Sequence, residues 1–275
     1  MNPQPPLFTE LPHDATTTAS TSHLRLMTFN AQHAAAERAW RQAAWLGRQP
    51  DADIVVLTEV GPGPGGHALL DALGHHGYTH LYAPQPDQPD YRTVIASRGT
   101  PLSPVSTGID VLTHRAPAAE LHLGGQPLRL LGLYVPSRGP KEHRNEAKRA
   151  FQHAVAQALP GFLAAFDGPV IVTGDLNVIE PGHLPHYPVF GRWEYDFYRT
   201  FTDIGLTDAY RALHPGTPGH SWYGRGGNGY RFDHTFLTAD RLDLTSCAYL
   251  HVPRREGLSD HAAMTVATAL TPASP

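Results

Sequence analysis

The sequence predicts a single α/β domain, because short apolar runs typical of buried strands alternate with longer segments of helical periodicity. Residues 53–58 and 169–173 are continuous apolar runs, which indicates strands buried on both faces. Residues 1–22 are rich in Pro and Thr and predict a flexible leader. With no internal linker or repeat, one domain over residues 23–272 is the expected organisation.

The expected elements follow from local patterns along the chain. Helices are expected over residues 34–49, 67–75, 141–166, 195–204 and 208–213. Trp40 and Ala44 are assigned to the inner face of the first helix, with Trp45 as a further candidate, and Pro160 is expected to break the third. Strands are expected over residues 24–29, 53–58, 79–82, 93–97, 119–123, 128–135, 169–173, 220–223, 230–237, 247–251 and 262–269. Residues 178–195 are expected to form a loop.

Composition limits the class of protein. The single cysteine, Cys247, excludes an internal disulfide framework. No apolar stretch is long enough to cross a membrane and no secretory signal is recognisable, so we expect a cytoplasmic protein, by default a monomer. The net charge of -4 gives no global basic field, and tight non-specific binding to nucleic acid is not implied.

Three predicted buried strands end in a polar or acidic residue, namely Asn30, Glu59 and Asp175. Side chains just past the ends of buried strands are held rigidly and still reach solvent, which favours ligand sites there. Hard oxygen ligands suit Mg²⁺ or Mn²⁺. Each residue alone would be interpreted as a helix cap or turn residue, and only their joint occurrence favours a metal site.

The second half of the chain supplies possible partners. Asp233 interrupts an aromatic and apolar strand, where a carboxylate is unexpected. Asp260 and His261 directly precede the last predicted strand. A buried Asp that accepts a hydrogen bond from a His would fix its tautomer and raise its basicity. The alternative is that Ser259 and Asp260 form a tight turn into the strand.

These segments resemble the endonuclease/exonuclease/phosphatase superfamily, and most of all its exonuclease III-like branch. The resemblance spans residue 24 to the end of the chain and implies a deoxyribonuclease I-like four-layer α/β sandwich, in which helices flank a two-sheet β-sandwich. The matching segments are Thr28-Phe29-Asn30, Val56-Leu57-Thr58-Glu59, Leu133-Tyr134-Val135-Pro136, Gly174-Asp175-Leu176-Asn177, Tyr230-Arg231-Phe232-Asp233 and Leu258-Ser259-Asp260-His261.

The resemblance implies a role for each matching polar residue. Glu59 would bind the metal, with Asn30 and Asp260 completing or supporting that site. Asp175 would orient or deprotonate the attacking water, and Asn177 would position the water and the phosphate. A phosphodiester hydrolase needs these parts, namely a cation and an activated water.

The remaining implied roles concern the phosphate. Asp233 would hold His261, which would contact the scissile phosphate. Tyr134 would bind a phosphate oxygen or assist the leaving group. Two departures weaken a specific prediction of abasic-site cleavage. Gln32 stands where many relatives place Asp or Asn, and Ser137 follows Pro136 where many DNA-repair members have Asn or Gln.

Substrate contacts are assigned to basic and aromatic residues. Residues 138–149 carry five basic side chains against two acidic ones, and from them we select Arg138 and Arg144 as phosphate contacts. A solvated helix face is an equally good interpretation. Trp222 and Arg225 are assigned to a second contact, where Arg231 could contribute.

Three functional hypotheses remain open. The first is a nuclease that uses Mg²⁺ or Mn²⁺ to hydrolyse phosphodiesters in DNA. The second is the same chemistry on a nucleotide, an inositol phosphate or a phospholipid head group. The third is a non-catalytic binding module of the same fold.

Overall fold

The structure is a computed structural model that describes residues 23–50, 52–139 and 142–271, without the side chains of residues 142–144. The predicted leader over residues 1–22 and the side chain of Arg144 therefore lie outside the described part of the chain. None of the described helices is long and apolar enough to cross a membrane.

The strands and helices alternate as the apolar pattern predicts. The described strands are, in chain order, β1 (His23–Asn30), β2 (Ile54–Val60), β3 (His80–Tyr82), β4 (Arg92–Ser97), β5 (Ser103–Val105), β6 (Ala118–Leu123), β7 (Gln126–Tyr134), β8 (Val170–Asp175), β9 (Thr207–Asp208), β10 (Trp222–Tyr223), β11 (Gly229–Tyr230), β12 (Asp233–Leu237), β13 (Leu242–Leu250) and β14 (Ala263–Leu270). The described α-helices are α1 (Ala36–Gly47), α2 (Pro64–His75), α3 (Glu142–Ala164), α4 (Arg192–Asp203), α5 (Ala209–Leu213) and α6 (Val252–Arg255).

Most of the strands form two six-stranded sheets. The first sheet has the order β13-β14-β1-β2-β4-β3, the second has the order β5-β6-β7-β8-β12-β9, and β10 and β11 form a separate hairpin. Each large sheet contains one parallel pair, β1 with β2 and β7 with β8. A parallel pair needs a crossover connection, which α1 supplies in the first sheet and α3 in the second.

Apolar side chains divide the molecule into four layers. Residues such as Val56 and Ile171 fill the space between the two sheets. Trp45 on α1 packs on the outer face of the first sheet, and Phe151 on α3 packs on the outer face of the second. The predicted fold class, a two-sheet β-sandwich flanked by helices, is therefore confirmed.

The inner face of α1 differs from the prediction. Trp40 is 47% exposed, whereas Trp45 is only 4% exposed and lies in the core. Ala39 and Ala43 are fully buried, so the stripe that faces the sheet passes through small residues. The prediction for Trp40 was wrong because it favoured the largest side chain over the narrow alanine stripe.

The prediction of a break in α3 was also wrong. The helix continues through Pro160 to Ala164. Pro160 lies on the exposed side of the helix. Water can there satisfy the carbonyl group that the proline leaves without a donor, so the helix tolerates the residue.

Candidate active site

The parallel pairs bring polar residues from both sheets to one end of the sandwich. In the first sheet Asn30 pairs with Thr58, the residue before Glu59. In the second sheet Tyr134 pairs with Asp175, and Asp175 also pairs with Asp233 on the antiparallel neighbour β12. The register of the strands thus assembles residues that are as far as 203 positions apart in the sequence, as Asn30 and Asp233 are.

Gly174 has a steric reason to precede Asp175. Its φ angle is +146°, and an added Cβ atom would lie 2.0 Å from the carbonyl oxygen of Leu133. Any larger residue would therefore push β7 and β8 apart. The glycine allows the two strands to stay paired up to their ends, where Tyr134 and Asp175 lie.

Backbone strain is concentrated at this end of the sandwich. Glu59 has a φ angle of +52° and Asn177 has one of +50°, and Gln32 and His33 are also in the left-handed region. Such conformations cost about 1–3 kcal/mol each and persist where the surrounding structure enforces them, commonly at functional sites. Of these four residues, Glu59 and Asn177 have side chains that contact other residues of the site, namely Tyr134 and Asp175.

His261 lies between two carboxylates. Its Nδ1 atom is 2.7 Å from Oδ2 of Asp233, and its Nε2 atom is 3.9 Å from Oδ2 of Asp175. Burial alone lowers the pKa of His261, but the charges of Asp233 and Asp175 outweigh that effect and raise the pKa to about 10. The two carboxylates therefore favour the charged form of the imidazole, with Nδ1–H donating to Oδ2 of Asp233.

Asp175 is a buried carboxylate with an unusual proton affinity. Burial raises its pKa to about 8, His261 opposes this increase, and the nearby charges of Asp233 and Glu59 add to it. A raised pKa makes a carboxylate a stronger general base. In its ionised form Asp175 is therefore a stronger base toward water than an ordinary carboxylate is.

Three amide groups orient Asp175. The backbone N–H of Asn177 donates to Oδ1 over 2.9 Å, and the side-chain Nδ2 atoms of Asn30 and Asn177 lie 2.9 and 3.2 Å from Oδ2. Asn177 also donates to the carbonyl oxygen of Val135 over 2.9 Å. The carboxylate of Asp175 is consequently held in one orientation, and Asn30 joins it to the first sheet.

Glu59 faces the same space from the first sheet. Its Oε1 atom accepts a 3.0 Å hydrogen bond from the hydroxyl group of Tyr134. Burial and the charges of Glu59 and Asp175 raise the pKa of Tyr134 above its usual range, so the hydroxyl stays protonated. The Arg115 guanidinium lies over the Tyr134 ring at 4.6 Å and is itself held by Asp90. The structure gives Tyr134 a contact with Glu59, where the resemblance implied a contact with phosphate.

The predicted metal ligands Glu59, Asn30 and Asp260 do not form one tight cluster. Glu59 and Asp260 each form a separate hydrogen bond with a neighbouring side chain. The side chain of Glu59 is 18% exposed at the site. Asp260 is exposed at the rim, where its Oδ2 atom accepts a 2.9 Å hydrogen bond from the indole of Trp222. The oxygen donors of Glu59 and Asn30 fit a hard cation such as Mg²⁺. Asp260 and Glu59 line the same cleft.

A second set of side chains also has its ligand atoms close enough together to bind one metal ion. Among the described residues, ligand atoms of Asp175, Asp233 and His261 lie within 4.8 Å of one another. Asp233 already accepts a 2.7 Å hydrogen bond from Nδ1 of His261, so two of these side chains are engaged with each other. The described residues thus offer two sets of donors for a cation, this group and the oxygen atoms of Glu59 and Asn30.

A cleft of about 690 Å³ opens onto these residues. It is lined by Glu59, Ser137, Arg138, Gly139, Asn145, Asn177, Val189, Phe190, Trp222, Tyr230, Phe232, Asp260 and His261. Two of the predicted substrate contacts, Arg138 and Trp222, are among them. Arg225 lies exposed in the turn between β10 and β11 and is not among the lining residues.

Arg231 was wrongly considered as a substrate contact. Its side chain is fully buried and forms ion pairs with Glu180 and Asp208. Arg211 binds Glu180 from the other side. This ionic cluster lies behind the cleft and connects the loop after Asn177 to the segment before Asp233. Glu180 is therefore structural and does not line the cleft.

The sequence interpretation also missed a buried ion pair behind Asn177. The Lys148 ammonium group donates to Oε1 of Glu194 over 2.6 Å and to the carbonyl oxygen of Asn177 over 2.8 Å. Both side chains are fully buried, and Oε2 of Glu194 accepts a 2.9 Å hydrogen bond from Arg138. In the sequence Lys148 belongs to a basic segment typical of a solvated helix face, so no local signal indicates its partner.

The loop after Asn177 carries two histidines, for which the sequence favours surface positions, and this prediction is wrong for one of them. His183 is 4% exposed, and its ring packs 5.6 Å from that of Tyr187 behind the cleft. Burial lowers the pKa of His183. His186 in the same loop is exposed, as expected.

The four-layer fold and this site define an α/β-sandwich hydrolase. The model of the endonuclease/exonuclease/phosphatase family matches residues 27–261. The chain therefore belongs to this family, as the motifs predicted, and it is a phosphodiester-hydrolysing enzyme. The non-catalytic alternative is not supported.

Solved structures share the fold at low sequence identity. An AP endonuclease from Archaeoglobus fulgidus aligns with a TM-score of 0.70 and 20% identity, over 88% of this chain and 98% of that chain. A 3′ phosphatase, NExo, from Neisseria bound to a product DNA hairpin gives the same four values. A 3′-5′ exonuclease (NExo) from Neisseria meningitidis has a TM-score of 0.70 and 21% identity, with the same coverage. The search of curated proteins finds no match.

Proposed function

We propose that this enzyme is a divalent-metal-dependent phosphodiesterase that cleaves DNA by an exonuclease III-like mechanism. The observation that carries the proposal is that Asn177, His261 and Glu59 line one cleft and that the buried carboxylate of Asp175 lies next to Asn177 and His261. A general base, amide donors and a cationic donor directed at one cleft are the groups that in-line hydrolysis of a phosphodiester requires. The fold neighbours that act on DNA support the choice of substrate.

Each residue has a role that follows from its contacts. Asp175 accepts a proton from the attacking water, and the side chain of Asn177 orients that water and the phosphate. His261 donates from Nε2 to a phosphoryl oxygen while Asp233 holds its Nδ1 proton. The water oxygen forms the new bond to phosphorus, and the ester bond to the leaving oxygen breaks.

The metal would be held by Glu59 and Asn30, with Asp260 supporting from the rim. A bound Mg²⁺ or Mn²⁺ supplies positive charge against the phosphoryl oxygens as negative charge builds on them. Tyr134 acts through Glu59, since its hydroxyl group fixes Oε1 of that carboxylate. It is a positioning residue in this proposal.

An assay with several substrates tests the proposal. The protein is incubated with Mg²⁺ or Mn²⁺ and labelled single-stranded, nicked or abasic DNA, in parallel with bis-(p-nitrophenyl) phosphate. We expect cleavage of DNA that EDTA abolishes and added Mg²⁺ restores. Product lengths on a gel then distinguish exonuclease from endonuclease cleavage.

Other outcomes identify which part of the proposal is wrong. Cleavage of the generic diester without cleavage of any DNA would favour a nucleotide, an inositol phosphate or a phospholipid head group as the substrate. Full activity in Asp175→Asn or in His261→Ala would refute the assigned roles. Activity that persists in EDTA would refute the metal requirement.

A further inference from the structure

A groove of about 350 Å³ lies between α3 and α4, on the outer side of the second sheet. We call it the α3–α4 groove. Its lining includes Arg149, Gln152, Ala156, Trp193 and Asp196, and none of these five residues lines the cleft of the candidate active site. The proposed hydrolysis therefore leaves this groove without a role.

The α3–α4 groove adjoins the cleft. Asn145 of α3 lines the cleft, and Arg149, one turn further along the helix, lines the groove. On the other side, Val189 lines the cleft and Trp193, in the first turn of α4, lines the groove. From Asn145 the lining continues along one face of α3 to Ala156, a distance of about 16 Å at the rise of an α-helix. A strand that leaves the cleft on this side would therefore enter the groove.

Gln152 provides an amide group without a partner in the α3–α4 groove. The residue is 4% exposed, and its Nε2 atom has no hydrogen-bond partner within the described part of the chain. A buried donor that stays unpaired is unfavourable, and a ligand oxygen that accepts from it would remove this cost. Glutamine is one of the side chains that bind phosphate oxygens in protein–DNA complexes.

The charges around the groove suit an anionic ligand. The Arg149 guanidinium lies over the Trp193 ring, 4.7 Å from its centroid. Asp196 is the one carboxylate among the described lining residues, and it forms ion pairs with Arg192 at 3.6 Å and with Arg199 at 2.8 Å. Because these two cations offset the charge of Asp196, the guanidinium of Arg149 favours binding of a phosphate.

We propose that the α3–α4 groove binds phosphates of the substrate strand beyond the nucleotides that occupy the cleft. Gln152 and Arg149 donate hydrogen bonds to these phosphates. A groove of this size admits a single strand and not a duplex. The inference rests on the proposed function and narrows it to single-stranded DNA that extends past the cleaved bond.

The first test removes charge from the substrate. Three substrates are compared with Mg²⁺: a dinucleotide, a long single strand, and the same long strand with neutral methylphosphonates outside the cleaved dinucleotide. The methylphosphonates keep the length of the strand and remove its charge. We expect kcat/KM at the chosen bond to be about tenfold higher for the charged long strand than for the other two, mainly through KM. Equal values for the charged and the neutral long strand would overturn the inference.

Paired substitutions at one position locate the contact. Ala156 is half-buried in the groove, so Ala156→Glu adds a negative charge beside the phosphates and Ala156→Arg adds a positive one. KM for the charged long strand should be about tenfold higher in Ala156→Glu than in Ala156→Arg. The same exchange at Ala248, exposed on β13 of the first sheet, is the matched control and should give equal KM values.

A variant of Gln152 tests the amide group itself. Gln152→Met replaces the unpaired donor with an unbranched apolar side chain, so the melting temperature should not fall. The preference for the charged over the neutral long strand should decrease about threefold or more. An undiminished preference in this variant would overturn the inference, because the amide would then bind no phosphate.

The outcomes separate this inference from the proposed function. If no substrate is cleaved with Mg²⁺ or Mn²⁺, the proposed DNA cleavage is wrong and the inference fails with it. If DNA is cleaved and Ala156→Glu and Ala156→Arg have the same KM, DNA cleavage stands and the role of the groove is overturned. The comparison of the three substrates uses the wild-type protein and so does not depend on how well a variant folds.

Discussion

The hydrogen bond between Asp233 and His261 determines the protonation state of the histidine. Asp233→Asn keeps the size of the side chain and removes the charge that raises the pKa of His261. We expect kcat for phosphodiester hydrolysis to fall about 10²- to 10⁴-fold. Asp243→Asn, on the exposed part of β13, is the control and should have wild-type kcat. Equal kcat values in the two variants would contradict the assigned role.

The hydroxyl group of Tyr134 is expected to affect metal binding. Tyr134→Phe keeps the ring under Arg115 but leaves Oε1 of Glu59 without its donor. Groups that orient a metal ligand typically contribute about 10- to 100-fold to metal affinity. The Mg²⁺ concentration for half-maximal activity should rise by that factor.

A matched control exists for this variant. Tyr198→Phe removes a buried hydroxyl group that donates to Asp208 over 2.7 Å, away from the site. It should lower the melting temperature and leave the Mg²⁺ requirement unchanged. An unchanged requirement in Tyr134→Phe would show that the contact with Glu59 has no role in metal binding.

At the scale of the elements, the Lys148–Glu194 pair joins α3 and α4 to the loop that carries Asn177. Lys148→Met removes the cation and leaves Oε1 of the fully buried Glu194 carboxylate without its ion-pair partner, while Arg138 still contacts Oε2. Breaking such a pair costs about 3–5 kcal/mol of unfolding free energy, which urea denaturation can measure. Glu146→Gln, on an exposed turn of α3, should change stability by less than about 0.5 kcal/mol.

A double variant tests the pairing directly. In Lys148→Met/Glu194→Leu no buried charge remains unpaired, so the loss of stability should be smaller than the sum of the two single losses. Additive losses would mean that the two groups do not interact. The hydrogen bond from Lys148 to the carbonyl oxygen of Asn177 is lost both in Lys148→Met and in the double variant.

Sequence patterns predicted the elements better than the contacts between them. The apolar runs located β2 and β8 because strands buried on both faces need apolar residues at every position. The polar residues at the ends of these strands then indicated the site. The partner of Lys148 could not be predicted, because Glu194 lies 46 residues away in the sequence. Nothing in the local sequence distinguishes a buried lysine from a solvated one.

The direction of a side chain was also difficult to predict from the sequence. Trp40 and Trp45 differ by more than one turn of α1, and periodicity alone did not identify which of them faces the sheet. The motif that contains Tyr134 predicted that it belongs to the site. Its contact with Glu59 depends on the distance between the two sheets, which no local pattern records.

At the scale of the whole molecule, the buried ionic cluster makes stability depend on pH. Burial raises the pKa of Asp208, but the charge of Arg231 outweighs it and the pKa is lowered. Burial likewise raises the pKa of Glu180, and the hydrogen bond and charges of Arg211 and Arg231 lower it overall. A lowered pKa in the folded state stabilises the protein above the pKa of the unfolded chain, about 4. This stabilisation is lost as the pH falls through the folded-state pKa.

We therefore expect the melting temperature to fall as the pH is lowered below about 4. Asp208→Asn should be less stable at neutral pH, because it removes a charge that pairs with Arg231. Its melting temperature should also depend less on pH in the acidic range. Parallel curves for the wild type and the variant would exclude Asp208 as a source of the acid sensitivity.

The position of β14 has a consequence for biosynthesis. β14 lies between β13 and β1 inside the first sheet, although it is the last described strand to be synthesised. Until it is added, β1 has an unpaired edge that is prone to aggregation, and His261 is absent. A chain that stops before residue 261 therefore lacks the histidine of the site and exposes the edge of β1, so we expect such a truncated product to be inactive and prone to aggregation.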